Sequence, residues 1–329
     1  MAQTSKSPKA VLLTALAAAR RAWPAYSHRN SPKTFTQHQL FACLVLKNFL
    51  KADYRGVAEH LRDAPSLTDA IELERVPHFT TLQKAAKRLL VSPQARRLLD
   101  STVQQYLGRR KRVVSSAIDS TGLELTAASG YFVQRRIRVS QPWKTIVYRH
   151  YGKLGLVCDT AQHFILAMRV GRGPRPDINE FRPLLADALR HVRLSRIAAD
   201  AGYDSESNHQ FARAEHQVRT TIPPRHGRPT TKPAAGHYRR LMQTRFDHDA
   251  YHDRAQVETV MSMLKRRQGA YVRGRSYQSQ CRDLRLMVLT HNVMILIYGQ
   301  LCYRAGQNYL FGPRRHCDAS LAPGSIFGR

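Results

Sequence analysis

The sequence predicts an α/β protein in which a mixed five-stranded sheet, flanked by helices, follows an all-helical N-terminal region. Three observations lead there. Up to about residue 105 apolar residues recur at helical spacing, with almost no strand pattern. From Val113 onward short strand-like runs follow one another before helix and strand begin to alternate, which suits a mixed sheet better than separate layers. A chain of 329 residues with 43% hydrophobic content is also long enough to bury cores for about two domains.

Taken in order, the first element is the apolar decade Ala10 to Ala19. The doublet Arg20-Arg21 directly after it reads as the end of a short helix rather than as a secretory segment. Helical spacing then covers Thr36 to Leu50, Tyr54 to Leu61 and Thr80 to Leu90, separated by Pro, Ser and Asp turns. A cap at Thr80 or Thr81 would put Lys84, Lys87 and Arg88 on one face, as a helix-turn-helix variant requires of its reading helix. Gly108 to Arg112 is a basic hinge. Beyond it the predicted strands are Val113 to Asp119, Gly155 to Cys158, Phe164 to Val170, Ser195 to Ala199 and Val218 to Ile222. Helices are expected at Ile178 to Val192 and Ser207 to His216, and one long helix from Tyr251 to Gln268 follows the Pro-rich connection Pro223 to Pro233. The apolar run Leu284 to Leu301 is interrupted by Arg285, His291 and Asn292 and reads as a buried helix rather than a membrane span. These signals divide the chain into a helical unit at 1–107, a mixed α/β unit at 108–302 and a tail at 303–329.

Charge names the partner. The 53 Lys and Arg against 23 Asp and Glu leave +30, a self-repulsion that closely spaced phosphates offset better than any small acidic substrate. Nucleic acid is therefore expected, and Arg109, Arg110, Arg112, Arg266 and Arg267 are expected to hold phosphate without reading sequence. The clusters Arg135-Arg136 and Arg138 belong to the same class, and Tyr131 and Trp143 are candidates for stacking on a base or packing a core. Five scattered cysteines with no Cys-x2-Cys pair argue against a disulfide framework and a zinc ribbon and fit a reducing, cytoplasmic, nucleoid-associated setting.

Chemistry must come from carboxylates. Asp119 closes the first predicted strand, Asp200 closes the fourth, and Glu258 lies on the late helix, where strand ends and helix faces present side chains to a cleft. At about 100° per residue Tyr251, Arg254, Glu258 and Lys265 share a stripe, beside an apolar stripe of Val257, Val260, Met261 and Leu264. The same pattern would arise from a solvated face with an Arg254–Glu258 pair. Asp119, Asp200 and Glu258, 81 and 58 residues apart, would repel one another unless hard divalent cations sat among them. Two Mg2+ or Mn2+ ions held by these three acids would suit phosphodiester displacement. Asp204 is a lesser alternative to Asp200, and Asp159 and Asp177 read as turn residues. His248 and His252 have zinc-compatible spacing but no completing pair.

The runs Ile118-Asp119-Ser120-Thr121, Ala199-Asp200-Ala201-Gly202-Tyr203-Asp204-Ser205 and Tyr251-x2-Arg254-x3-Glu258-x6-Lys265 resemble the three acidic motifs of DDE transposases from prokaryotic insertion sequences. The resemblance covers about residues 113 to 270 and implies a ribonuclease-H-like catalytic fold. It implies Asp119, Asp200 and Glu258 as metal ligands, with Tyr251, Arg254 and Lys265 supporting them. It further implies hydrolysis at the element's 3′ ends, attack of the freed hydroxyl on target DNA, no nucleotide cofactor and no covalent protein–DNA intermediate. A homodimer on terminal inverted repeats and target duplex is the implied assembly. Only about 35 residues separate Ile222 from Glu258, which leaves no room for the large β insertion some relatives carry and argues against hairpin-based cleavage. Two other functions share this scaffold: a non-catalytic nucleic-acid-binding protein, and a nuclease or resolvase.

Overall fold

The computed structural model describes residues 5–125, 150–224 and 234–304. The N-terminal region is helical throughout. Ser7 caps α1 (Pro8–Ala22), with Pro8 in the first turn and Arg20 and Arg21 in the last. A reciprocal capping box between Thr36 and Gln39 starts α2 (Gln37–Phe49), and Asp53 caps α3 (Tyr54–Asp63). The short α4 (Pro65–Ala70) separates α3 from α5 (Phe79–Leu89), and α6 (Ser92–Leu107) closes the region at Gly108, whose φ of 55° suits a residue without a side chain. The sequence reading missed α4 and did not single out α6. The expected Thr80 or Thr81 cap is also wrong: the helix begins at Phe79, and the Thr80 hydroxyl bonds the His78 ring instead (2.8 Å).

The sheet then forms from β1 (Arg112–Leu125), β2 (Tyr151–Asp159), β3 (Phe164–Gly173), β4 (Arg193–Ala198) and β5 (Arg219–Thr221). Their order is β3-β2-β1-β4-β5, antiparallel from β1 to β3 and parallel from β1 to β5. This is the mixed five-stranded, ribonuclease-H-like arrangement, preceded by the N-terminal helices. Helix α7 (Phe181–Leu189) crosses from β3 to β4, and α8 (Glu206–Gln210) with a π-helical turn leads into β5. Between β5 and the late helix the described residues form α9 (His237–Thr244) and α10 (His248–His252). Then come α11 (Ala255–Gln268), the two-residue β6 (Tyr271–Val272) against the end of β1, and α12 (Tyr277–Arg304).

One continuous apolar cluster runs from Val11 and Leu12 of α1 through Ile118 and Val157 of the sheet to Leu289 and Val293 of α12. The polar residues that interrupt the late apolar run have structural partners. Arg285 donates to Leu90 O (3.0 Å), the His291 ring bonds His163 O (2.8 Å), and Asn292 both accepts from Ile165 N (3.1 Å) and donates to Ile165 O (2.9 Å). They pin α12 to the β3 edge and to the end of α5, which a membrane span has no reason to do. No helix among the described residues is long and apolar enough to cross a membrane.

Candidate active site

The parallel pairing of β1 and β4 is the device that brings two of the acids together. Ala117 lies opposite Ala198, so Asp119 and Asp200, each two residues further on, come level at the same end of neighbouring strands. The prediction that Asp119 closes its strand is corrected by the structure. Asp119 pairs with Leu156 of β2, and β1 runs on to Leu125. The polar run Ser120-Thr121 resembles a strand end, but hydrogen bonding to β2 and then β6 carries the strand past it. Asp200 does follow the end of β4, where its side chain accepts from Gly202 N (2.9 Å) and starts a single helical turn. A side chain at position 202 would sit 3.0 Å from that same carboxylate oxygen.

Asp119 is poorly compensated. Its side chain is 14% exposed, with an oxygen accepting from Ser120 N (2.7 Å) and the Arg254 guanidinium 3.7 Å away. Burial pushes its carboxyl up to about 6; the Ser120 N–H pulls it back, repulsion from Asp200 raises it again, Arg254 lowers it and Asp177 raises it. Asp177, expected in a turn, thus stands beside the site, where it pairs with the buried Lys153 ammonium (2.6 Å) and bonds Ser120 Oγ.

The third acid arrives on α11. Val257, Val260, Met261 and Leu264 are buried, so the helix presents its other side to the strand ends. Arg254 spans the gap: its Nη1 donates to Glu258 (2.6 Å) while Nη2 faces Asp119. The phenol of Tyr251 is raised by burial, against the pull of Arg254, and feels Asp200, Asp119 and Glu258 together. The side chain of Lys265, two turns beyond Glu258 on the same face, makes no hydrogen bond or ion pair with the described residues.

The expected single helix from Tyr251 to Gln268 is in fact two, broken at Asp253-Arg254. There the N–H of Arg254 bonds Tyr251 O (2.9 Å) and that of Gln256 bonds Asp253 O (3.1 Å) in tight turns. The cause is Asp253, whose carboxylate accepts from Ser115 Oγ of β1 (2.5 Å) and from Arg196 of β4 (2.7 Å). Asp253 therefore fastens the root of Arg254 and Glu258 to both acid-bearing strands. Sequence reading missed this role; the place of Asp253 immediately before Arg254 was the available signal.

Residues 115–293 match the family described as Transposase DDE domain, more than half of the chain. The chain belongs to that family. Among solved structures, it is similar to the one described as "Crystal structure of a pre-cleavage Mos1 transpososome", at 11% identity over 87% of this chain and 83% of that one. The TM-score is 0.21, too low to bear on the argument. No curated protein matches.

A DDE transposase implies a divalent metal. No group of three or more His, Cys, Asp or Glu close enough to hold an ion occurs among the described residues. The donors nevertheless fit one chemically. Asp119 and Asp200 are hard oxygen donors that repel one another in a partly buried setting, and the Arg254 guanidinium is the charge that offsets Asp119 and Glu258.

The lesser candidates take structural places in this member of the family. Asp204 is wholly buried, bonded to Arg239 (2.7 Å) and beside His209 (3.5 Å). Asp159 accepts from Tyr106 OH (2.6 Å) and caps Ala161 (2.8 Å). Asp247 caps α10 and pairs with Arg219 (3.0 Å). Of the basic candidates, Lys84, Lys87 and Arg88 are exposed on the outer face of α5, opposite buried Leu82, Ala85, Ala86 and Leu89. Arg109 and Arg266 are exposed, Arg110 stacks on Tyr106 (4.7 Å), Arg112 bonds Ser195, and Arg267 is half-buried. Tyr131, Arg135, Arg136, Arg138, Trp143, most of the Pro223 to Pro233 connection and the tail from residue 305 lie outside the described residues.

Proposed function

We propose that this chain is the transposase of a prokaryotic insertion sequence, of the Tyr-x2-Arg-x3-Glu-x6-Lys type, which cuts the 3′ ends of its element and joins them to target DNA. The observation that carries the proposal is the level placement of Asp119 on β1 and Asp200 just beyond the parallel β4, with Arg254 linking Glu258 to the same end of the sheet. Asp119, Asp200 and Glu258 are the catalytic acids and would hold two Mg2+ or Mn2+ ions. When bound, the metal activates the attacking oxygen and stabilises the leaving one. Arg254 holds Glu258 toward the strand ends and neutralises part of the acid cluster before DNA arrives. Tyr251, beside all three acids, and Lys265, further along α11, bind the DNA strand flanking the scissile phosphate.

Residues 1–107 would read the terminal inverted repeats through Lys84, Lys87 and Arg88, and residues 108–302 would carry the chemistry. Arg109, Arg110, Arg112, Arg266 and Arg267 would hold backbone phosphates. Joining two DNA ends calls for at least a homodimer on DNA.

Labelled element ends incubated with the full chain and Mg2+ test the proposal. Wild type should release strands with 3′-hydroxyl ends, whereas Asp119→Asn, Asp200→Asn and Glu258→Gln should bind the ends and leave them intact. Full cleavage by any of the three would remove that residue from the site. Binding by wild type with no cleavage would leave a non-catalytic DNA-binding protein.

A further inference from the structure

The surplus positive charge is spread widely, but one concentration of it lines an open cleft. Between the N-terminal helices and the start of α12 lies a cavity of about 460 Å3. Lys47 of α2 and Lys87 of α5 line it together with Arg275 and Arg282, which stand before and within the first turns of α12. Its two acids, Asp53 and Asp283, are occupied by backbone: Asp53 accepts from Gly56 N (2.6 Å) and Asp283 from Gly274 N (2.9 Å).

Lys47 is the unusual member. It is 8% exposed and its side chain makes no hydrogen bond or ion pair with the described residues; its ammonium lies 4.9 Å from the Tyr54 ring centre. Burial lowers its pKa, and the nearby Asp283 offsets part of that. An ammonium largely withdrawn from water yet opening on the cleft is stabilised by an anion that completes its surroundings. Lys87, Arg275 and Arg282 likewise make no side-chain hydrogen bond or ion pair with the described residues. The N-terminus of the 28-residue α12 faces the same space through Ser276 and Ser279, which cap one another's backbone N–H groups (3.3 and 3.0 Å).

We infer that this cleft is a second DNA site, which seats a backbone phosphate of the bound duplex between Lys47 and Lys87 on one wall and Arg275 and Arg282 on the other. The inference rests on the reading that the chain acts on DNA. Duplex DNA suits the cleft better than a free anion because Lys84 and Arg88 continue the cationic surface outward along α5. A phosphate held there would tie the N-terminal helices to the segment that directly follows α11. DNA gripped by α5 would then be fixed relative to Glu258.

The test is binding by the full chain in chelator, so that nothing is cut, using an element-end duplex and a random duplex across a salt series. Arg275→Ala with Arg282→Ala should weaken both duplexes by about tenfold and reduce the salt slope by about 1 to 2. Lys47→Met, which keeps the aliphatic stem, should act in the same direction, while Arg169→Ala, paired with Glu180 on β3, should change little. Unchanged affinity and slope in the Arg275/Arg282 variant, with wild type binding normally, would overturn the cleft and leave the transposase reading intact. Loss of inorganic phosphate binding alone, with both duplexes bound as before, would overturn it too. A wild-type chain that binds neither duplex would overturn the transposase reading itself.

Discussion

Asp200 and Asp204 stand four residues apart on one loop beyond β4. Asp204 is closed off from solvent, in contact with Arg239 and near His209, while Asp200 is part exposed, caps one helical turn and faces Asp119 across the sheet. The buried acid has its counter-charge supplied by the chain and serves as a strut between α8 and α9. The part-exposed acid lies beside a second carboxylate, and the proposed function places a cation there. Burial alone therefore does not single out a candidate functional carboxylate; incomplete compensation is the better guide.

The largest expected effect separates the two directly. Asp200→Asn should lower end cleavage by about a thousandfold or more with little change in melting temperature, as should Asp119→Asn and Glu258→Gln. Asp204→Asn should do the reverse. Removing the partner of Arg239 should cost about 3 kcal/mol of stability, read by denaturant unfolding, while cleavage per folded molecule is kept. Cleavage lost with stability intact would place Asp204 in the site after all.

A smaller effect tests the missing counter-charge. The folded protein holds Asp119 up at about 6 from an ordinary 3.8, so it favours the protonated form. That contribution to stability is fully present below about pH 4 and is lost as pH rises through about 6, amounting to about 3 kcal/mol. In chelator, wild type should therefore lose stability between pH 4 and 6, and Asp119→Asn should not. Mg2+ should stabilise wild type at pH 7 and leave Asp119→Asn unmoved; parallel melting curves for the two proteins would sink the idea.

The smallest concerns Asp253. Asp253→Asn keeps a hydrogen-bonding group for Ser115 but loses the charge that holds Arg196, so α11 should seat less firmly on β1 and β4. Cleavage should fall by about tenfold with end binding unchanged. A wild-type rate would show that the apolar face of α11 positions Glu258 unaided.

Much of this was legible residue by residue. The β-branched runs announced the strands, the spacing from Tyr251 to Lys265 marked the acidic helix, and the buried stripe from Val257 to Leu264 gave its orientation. What misled was local polarity. Ser120 and Thr121 suggested that the first strand stops at Asp119, yet pairing with β2 takes it to Leu125. Unbroken periodicity suggested one helix from Tyr251, yet Asp253 finds partners on two strands more than fifty residues distant in sequence and breaks it. Neither partner can be seen from the neighbours of Asp253.

The sequence by itself determined most of the helices and strands, which three acids stand out, and a net charge of +30. Periodicity, spacing and net charge are local or additive properties of the chain. Only the tertiary structure decided that Asp119 and Asp200 stand level, that Arg254 reaches two acids at once, and that Asp204 is a strut. Each of these depends on strand register or on ion pairs between distant elements, and such contacts exist only once the core has brought those elements together.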